Sequence, residues 1–175
     1  MKQILIIIFI IILNNLLGQT NALKEIFFDL PLDKTRNEID SIVTLDTLKF
    51  KFYSTHGSEA LFKVSSRRRN RFLPKSYSEP LLMLIGNELV LTLNYNSTFS
   101  KKHKAEKAFN FLSNKLTDSF SHFSDSKPIP SFDYSLFRER KFYIKDMEEP
   151  KCIIKLEQYL GSIKLKIIYY TKDTD

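Results

Sequence analysis

Cys152-Ile153-Ile154-Lys155-Leu156-Glu157-Gln158-Tyr159, then Leu160-Gly161-Ser162, then Ile163-Lys164-Leu165-Lys166-Ile167-Ile168-Tyr169-Tyr170-Thr171, is the stretch on which the fold turns. In its second half Ile163, Leu165 and Ile167 point one way and Lys164 and Lys166 the other. A period of two marks a strand with one dry and one wet face. Two such runs joined by a short connection containing Gly161 read as neighbouring antiparallel strands.

Working back towards the N-terminus, the same period recurs. Glu88 to Tyr95 puts Leu89, Leu91, Leu93 and Tyr95 on one face, and Leu81 to Ile85 precedes it across Gly86-Asn87, a two-residue hairpin turn. Leu48 to Tyr53 alternates Leu48, Phe50 and Phe52 with Lys49 and Lys51; His56-Gly57-Ser58 reads as a turn and Ala60 to Val64 as a second short strand. Lys141 to Lys145 adds another. Ser65 to Pro80, with Pro74 and Pro80, and Ser121 to Asp133, with Pro128 and Pro130, read as loops.

Two helices interrupt the strands. Thr35 followed by Glu38 is a capping box, and Ile39, Ile42 and Val43 follow at helical spacing, so the first helix runs from about Lys34 to Leu45. Ser97 to about Phe120 is the main helix, with Ala105, Ala108, Phe109, Leu112 and Leu116 in one stripe and most lysines off it. Phe109, Phe111, Phe120 and Phe123 read first as core; Phe111 lies partly off the stripe, and its alternative is an exposed position on a protein-partner face. The order predicts an α+β fold, an antiparallel sheet with two helices packed on one face. Residues 34–96 and 99–171 each offer a helix, a strand and a hairpin with a glycine turn, the pattern of a tandem helix-sheet repeat.

Leu30-Pro31-Leu32-Asp33-Lys34-Thr35-Arg36-Asn37-Glu38-Ile39 joins an apolar-Pro segment and a turn to a capped short helix. This run resembles the start of small exported bacterial proteins: outer-membrane assembly small lipoproteins, β-lactamase inhibitory protein-like domains and exported Bacteroidota proteins that repeat a helix-plus-antiparallel-sheet unit. The resemblance implies a binding or scaffolding module without catalysis.

The N-terminus reads as a secretory signal peptide. Met1-Lys2 is followed by apolar Ile4 to Leu13, then Asn14-Asn15, Leu16-Leu17-Gly18 and Gln19-Thr20-Asn21-Ala22. Thr20 and Ala22 supply the small residues before a cleavage site. Cleavage after Ala22 leaves residues 23–175 as a single domain, exported to the periplasm or beyond the cell. The apolar stretch is shorter than the ~20 residues of a spanning helix; an uncleaved N-terminal membrane anchor is the alternative. Residue usage rich in Lys, Ile, Asn and Phe points to an AT-rich genome, with a bacterium as first choice of host.

Removing Lys2 lowers the net charge from +7 to +6, which suits anionic partners such as lipid headgroups or acidic glycans, with nucleic acid not favoured. The sharpest charged feature is Arg67-Arg68-Arg69-Asn70-Arg71, followed by Phe72 and Lys75. Guanidinium forks pair bidentately with phosphate and carboxylate. Arg67, Arg68, Arg69, Arg71 and Lys75 are therefore the candidate anion-binding residues, against the plainer reading of a solvated connecting loop whose charges aid solubility.

Catalytic signatures are missing from the chain. It contains no G-x-S-x-G, no G-x-x-x-x-G-K-[ST] and no G-x-G-x-x-G. His56, His103 and His122 do not fall at metal-ligand spacing, so no metal is expected. Glu139, Glu148 and Glu149 could supply paired carboxylates, although Glu148-Glu149 before Pro150 reads as a solvated turn. Cys152, the one cysteine, opens an apolar run and is expected to be a buried, inert thiol. Asn96-Ser97-Thr98 is a glycosylation sequon that matters only in a eukaryotic host. The composite expectation is an exported, non-enzymatic binding or scaffolding module of the cell envelope, with no cofactor and an envelope or extracellular protein as partner. The alternatives are a binder of anionic lipid or glycan through residues 67–75 and a hydrolase whose site is dispersed along the chain.

Overall fold

The computed structural model describes residues 22–56, 59–65, 73, 79–96, 99–130, 134–159 and 162–172. A helical turn over 22–26 leads into α1 (Arg36–Leu45), then β1 (Phe50–His56), β2 (Glu59–Val64), β3 (Leu81–Ile85) and β4 (Glu88–Asn96). The second half holds α2 (Phe99–Thr117), β5 (His122–Ser126), β6 (Tyr134–Tyr143), β7 (Cys152–Tyr159) and β8 (Ser162–Tyr170). All eight strands form one antiparallel sheet in the order β1-β2-β3-β4-β8-β7-β6-β5. Each run of four strands is a meander. The last strand of each pairs with the other along nine residues, from Glu88↔Tyr170 to Asn96↔Ser162.

Alternation decides which side chains are buried. Leu89, Leu91, Leu93 and Tyr95 of β4, Ile163, Leu165, Ile167 and Tyr169 of β8 and Cys152, Ile154 and Leu156 of β7 join one core cluster. Ala105, Ala108, Phe109, Leu112 and Leu116 of α2 belong to it, as do Ile39 and Val43 of α1. The α2 helix lies against β4, β6, β7 and β8. Its small Ala105 and Ala108 let the helix approach the sheet closely, and Phe109 and Leu112 fill the space alongside. Burial of each large side chain such as Phe50, Phe109 or Phe142 contributes about 1.5–3 kcal/mol. No helix of the described residues is long and apolar enough to cross a membrane.

Local chemistry sets the joints. Thr35 caps α1: its side chain accepts from the Glu38 amide, and the Glu38 carboxylate accepts from the Thr35 amide at 2.9 Å. Gly86 has a φ of +51° while Asn87 stays at negative φ, the pattern of a II′ hairpin turn. The segment before α1 is anchored to the end of β8. Leu30 and Leu32 are buried, and the Tyr169 hydroxyl donates to the Leu32 carbonyl at 3.1 Å.

Several expectations are corrected. The first strand begins at Phe50, not Leu48, because Asp46 holds a turn by accepting from the Lys49 and Phe50 amides. Leu48 is 86% exposed at that turn, and Phe52 is 57% exposed although it shares a side with buried Phe50. Residues 122–126, expected in a loop, form the edge strand β5. The expected strand Lys141 to Lys145 is the end of the longer β6, which stops at Tyr143 and leaves Ile144 exposed. The main helix ends at Thr117, short of Phe120. Phe123 is exposed rather than in the core, and Phe111 takes the exposed alternative that its off-stripe position left open. Of the expected turn His56-Gly57-Ser58, Gly57 and Ser58 lie outside the described residues.

Candidate functional site

Opposite the core cluster, the sheet has a second face to which no described helix contributes a buried side chain. Strand alternation and the ladder registers place two rows across it. One row is apolar: Leu61, Met83, Val90, Ile168 and Ile153 lie opposite one another on successive strands. Val90, Ile153 and Ile168 are buried among their neighbours, with Met83, Ile85 and Tyr170 packed against them. The adjacent row is charged. Lys51 faces Lys63 at one end, and Lys166, Lys155 and Glu139 follow one another at the other. The two rows lie about 7 Å apart, two residues along a strand. Lys164 and Glu157 form a further opposed pair one step on.

Like charges directly opposite in a sheet destabilise it, and Lys155 faces Lys166. The two acids offset this. Lys155 Nζ lies 3.0 Å from Glu139 Oε2 and Lys141 Nζ 3.5 Å from Oε1, while Lys166 Nζ lies 2.6 Å from Glu157 Oε1. The Ser126 hydroxyl donates to Glu139 at 2.6 Å, and the Tyr134 hydroxyl donates to Glu157 at 3.2 Å. The lattice therefore links four strands, β5 to β8, through charge-assisted bonds.

Its protonation states are held away from neutrality. Burial pushes the Glu139 carboxyl up, but the Ser126 hydrogen bond and the Lys155 ammonium outweigh it and hold the group below its ordinary 4.5. Burial, then the nearby Glu157 charge, pushes Tyr134 up to about 12. A general acid or base works best with a pKa near the working pH. Neither Glu139 nor Tyr134 is placed to exchange a proton at neutral pH.

The arginines of β6 lie on the other side. Arg138 stacks over the Phe109 ring of α2 at 4.6 Å and donates to Asn110. Arg140 makes a bidentate pair with Asp125 at 2.6 and 2.7 Å and covers Phe123 at 4.2 Å. The Asp125 hydrogen bond raises the Arg140 pKa, and the same bond lowers that of Asp125.

The sequence-derived candidates fall as follows. Arg67, Arg68, Arg69 and Arg71, with Lys75, lie outside the described residues, between the ends of β2 and β3. Glu139 is a buried member of the lattice, while Glu148 and Glu149 are exposed in the β6–β7 connection. Cys152 is buried in the core, where desolvation pushes its thiol strongly up. His103 and His122 are exposed, and His122 stacks on Tyr143 at 4.7 Å. Among the described residues no three His, Cys, Asp or Glu side chains converge to hold a metal ion. Glu157, Tyr134 and Ser126 escaped sequence reasoning. The alternation Ile153, Lys155, Glu157 against Cys152, Ile154, Leu156 is the signal that marks Glu157.

Comparison with known proteins finds no matching family model, no similar curated protein and no similar solved structure.

Proposed function

We propose that this chain is an exported, non-catalytic binding or scaffolding module of the cell envelope that docks its partner on the helix-free face of the sheet. One observation carries the reading: an eight-stranded sheet whose second face carries an apolar row beside a charged lattice already satisfied by its own salt bridges and hydrogen bonds. A surface of fixed charges with an apolar stripe recognises shape and potential.

Two finer readings go with this proposal. Both helices packing on one face of a tandem helix-sheet repeat is supported by the single core cluster that unites α1, α2 and the strands, and by the two four-strand meanders meeting at β4 and β8. Export with cleavage after Ala22 is supported by the course of the chain from Leu23, which packs against the core together with Ile26 and Phe27.

The second functional reading, an anionic-surface binder through Arg67 to Lys75, is supported by the attachment of that segment. It begins just beyond Lys63, which faces Lys51 in the charged row.

A photo-crosslinking amino acid at position 164 of the sheet face, compared with one at exposed position 104 on α2, tests the docking face in the producing cell. Specific adducts from position 164 alone are expected. Adducts from position 104 alone, or none from either, would overturn the reading.

A further inference from the structure

We infer that the partner docked on the helix-free face is an acidic polypeptide segment in which carboxylates accompany apolar side chains. The inference rests on that face being the docking surface and adds the chemistry of its occupant.

Charge complementarity is the first argument. By register, Lys51, Lys63, Lys141, Lys155, Lys164 and Lys166 share this face with Glu59 and Glu88 near one edge and with Glu139 and Glu157 in the lysine band itself, so the lysines outnumber the acids among the described residues. The pair in the band decides how much of that charge is offset locally. Both carboxylates are turned into the lattice by Ser126 and Tyr134, with less than a tenth of each side chain exposed. The potential an approaching molecule meets is therefore positive. The Lys51–Lys63 register is a second sign. Like charges directly opposite cost a sheet stability, and departures from such local rules concentrate where function requires them.

The type of cation and its neighbours choose among polyanions. Phosphate is matched best by guanidinium forks, yet the described arginines of β6 are engaged on the helix side with Asn110 and Asp125. The lysines flank an apolar row at both ends, on β2 and on β8 and β7, with Leu81 and Thr92 between them on β3 and β4. A phosphodiester backbone has nothing to place on that row, whereas a polypeptide carries acidic and apolar side chains together. A bilayer is disfavoured by the width of the apolar surface: Val90, Ile153 and Ile168 are only 4%, 5% and 8% exposed, so the row offers mainly half-buried Leu61 and Met83, a strip that single peptide side chains can meet but that is too narrow to enter lipid.

The test uses the full folded domain and a fluorescein-labelled synthetic peptide of glutamate and leucine, read by anisotropy. Its comparators are a glutamate-only peptide of equal charge, inorganic polyphosphate, and vesicles of phosphatidylglycerol in phosphatidylcholine. The Glu/Leu peptide is expected to bind best, and more weakly as salt rises. K51Q/K63Q/K164Q should weaken it about tenfold, while K104Q/K107Q/K115Q, the same charge loss on α2, should change it less than about twofold. All six are surface lysines, and thermal melts check that both variants stay folded. Equal binding by the two triple variants, stronger binding of polyphosphate or vesicles, or no binding of the Glu/Leu peptide would each overturn the inference. In any of those cases crosslinking from position 164 decides separately whether the docking face itself stands.

Discussion

Glu139 and Lys155 face each other across the β6–β7 ladder and meet at 3.0 Å, with 8% of the glutamate side chain and 29% of the lysine exposed. The pair is the hinge of the lattice, since the same carboxylate accepts from Ser126 and lies near Lys141. Removing one partner of a largely buried ion pair leaves the other charge without its compensation. Lys155→Met should therefore destabilise the domain by about 1–3 kcal/mol in urea denaturation, and the double change Glu139→Gln with Lys155→Met should recover part of that loss. A Lys155→Met variant as stable as the parent would show that the pair contributes little.

The same carboxylate sets a pH dependence. Glu139 sits below its ordinary 4.5 in the folded state, so its contribution is present above the unfolded value and disappears as pH falls through the folded one. Asp125, lowered by its bond to Arg140, has the same sign. Melting temperature should stay level above pH 5 or so and drop below it, and Glu139→Gln should flatten part of that drop. A melting temperature that rises on acidification would contradict the lattice.

Gly86 is a conformational requirement. Its φ of +51° suits glycine, and a Cβ built there meets nothing within 4 Å, so a substitution acts through the backbone and not through a clash. Gly86→Ala should cost about 1 kcal/mol and Gly86→Asn less, because asparagine tolerates the left-handed region. Denaturant melts of the two variants check the order.

The α1 cap offers a separate check on the joint that precedes the first meander. Thr35→Ala removes the acceptor for the Glu38 amide and should cost about 1 kcal/mol. Cys152 provides a control: its thiol should resist a soluble disulfide reagent until the protein is unfolded, in keeping with its burial against the core.

How far the fold was readable depends on where each strand's second face points. β7 and β8 bury one face under α2, so Ile154 and Ile167 recur at period two and the strands were legible to within a residue. The β3–β4 hairpin was legible because Gly86-Asn87 names its own turn. β5 was not, since His122 to Asp125 is exposed on both faces of an edge strand and carries no burial pattern. β6 was read only at its end, because the register shift between Leu136 and Arg138 breaks the alternation and Arg138 and Arg140 take core-side positions by stacking on Phe109 and Phe123. Phe111 was legible only as an alternative: it lies just outside the helix stripe, and it is exposed while its neighbour Leu112 is buried. The lattice combines residues of four strands, and its partners follow from register, which single-strand periodicity does not contain.

Lysine footprinting tests the docking face most directly. The purified protein and the same protein in its native cell fraction are treated briefly with an amine-reactive reagent, and modification is read lysine by lysine by mass spectrometry. Lys51, Lys63 and Lys164 should react readily in the purified protein and be shielded in the native fraction, while Lys104 and Lys107 on α2 react in both. Equal reactivity of the sheet-face lysines in the two samples, or shielding confined to α2, would contradict the claim that this face receives a partner.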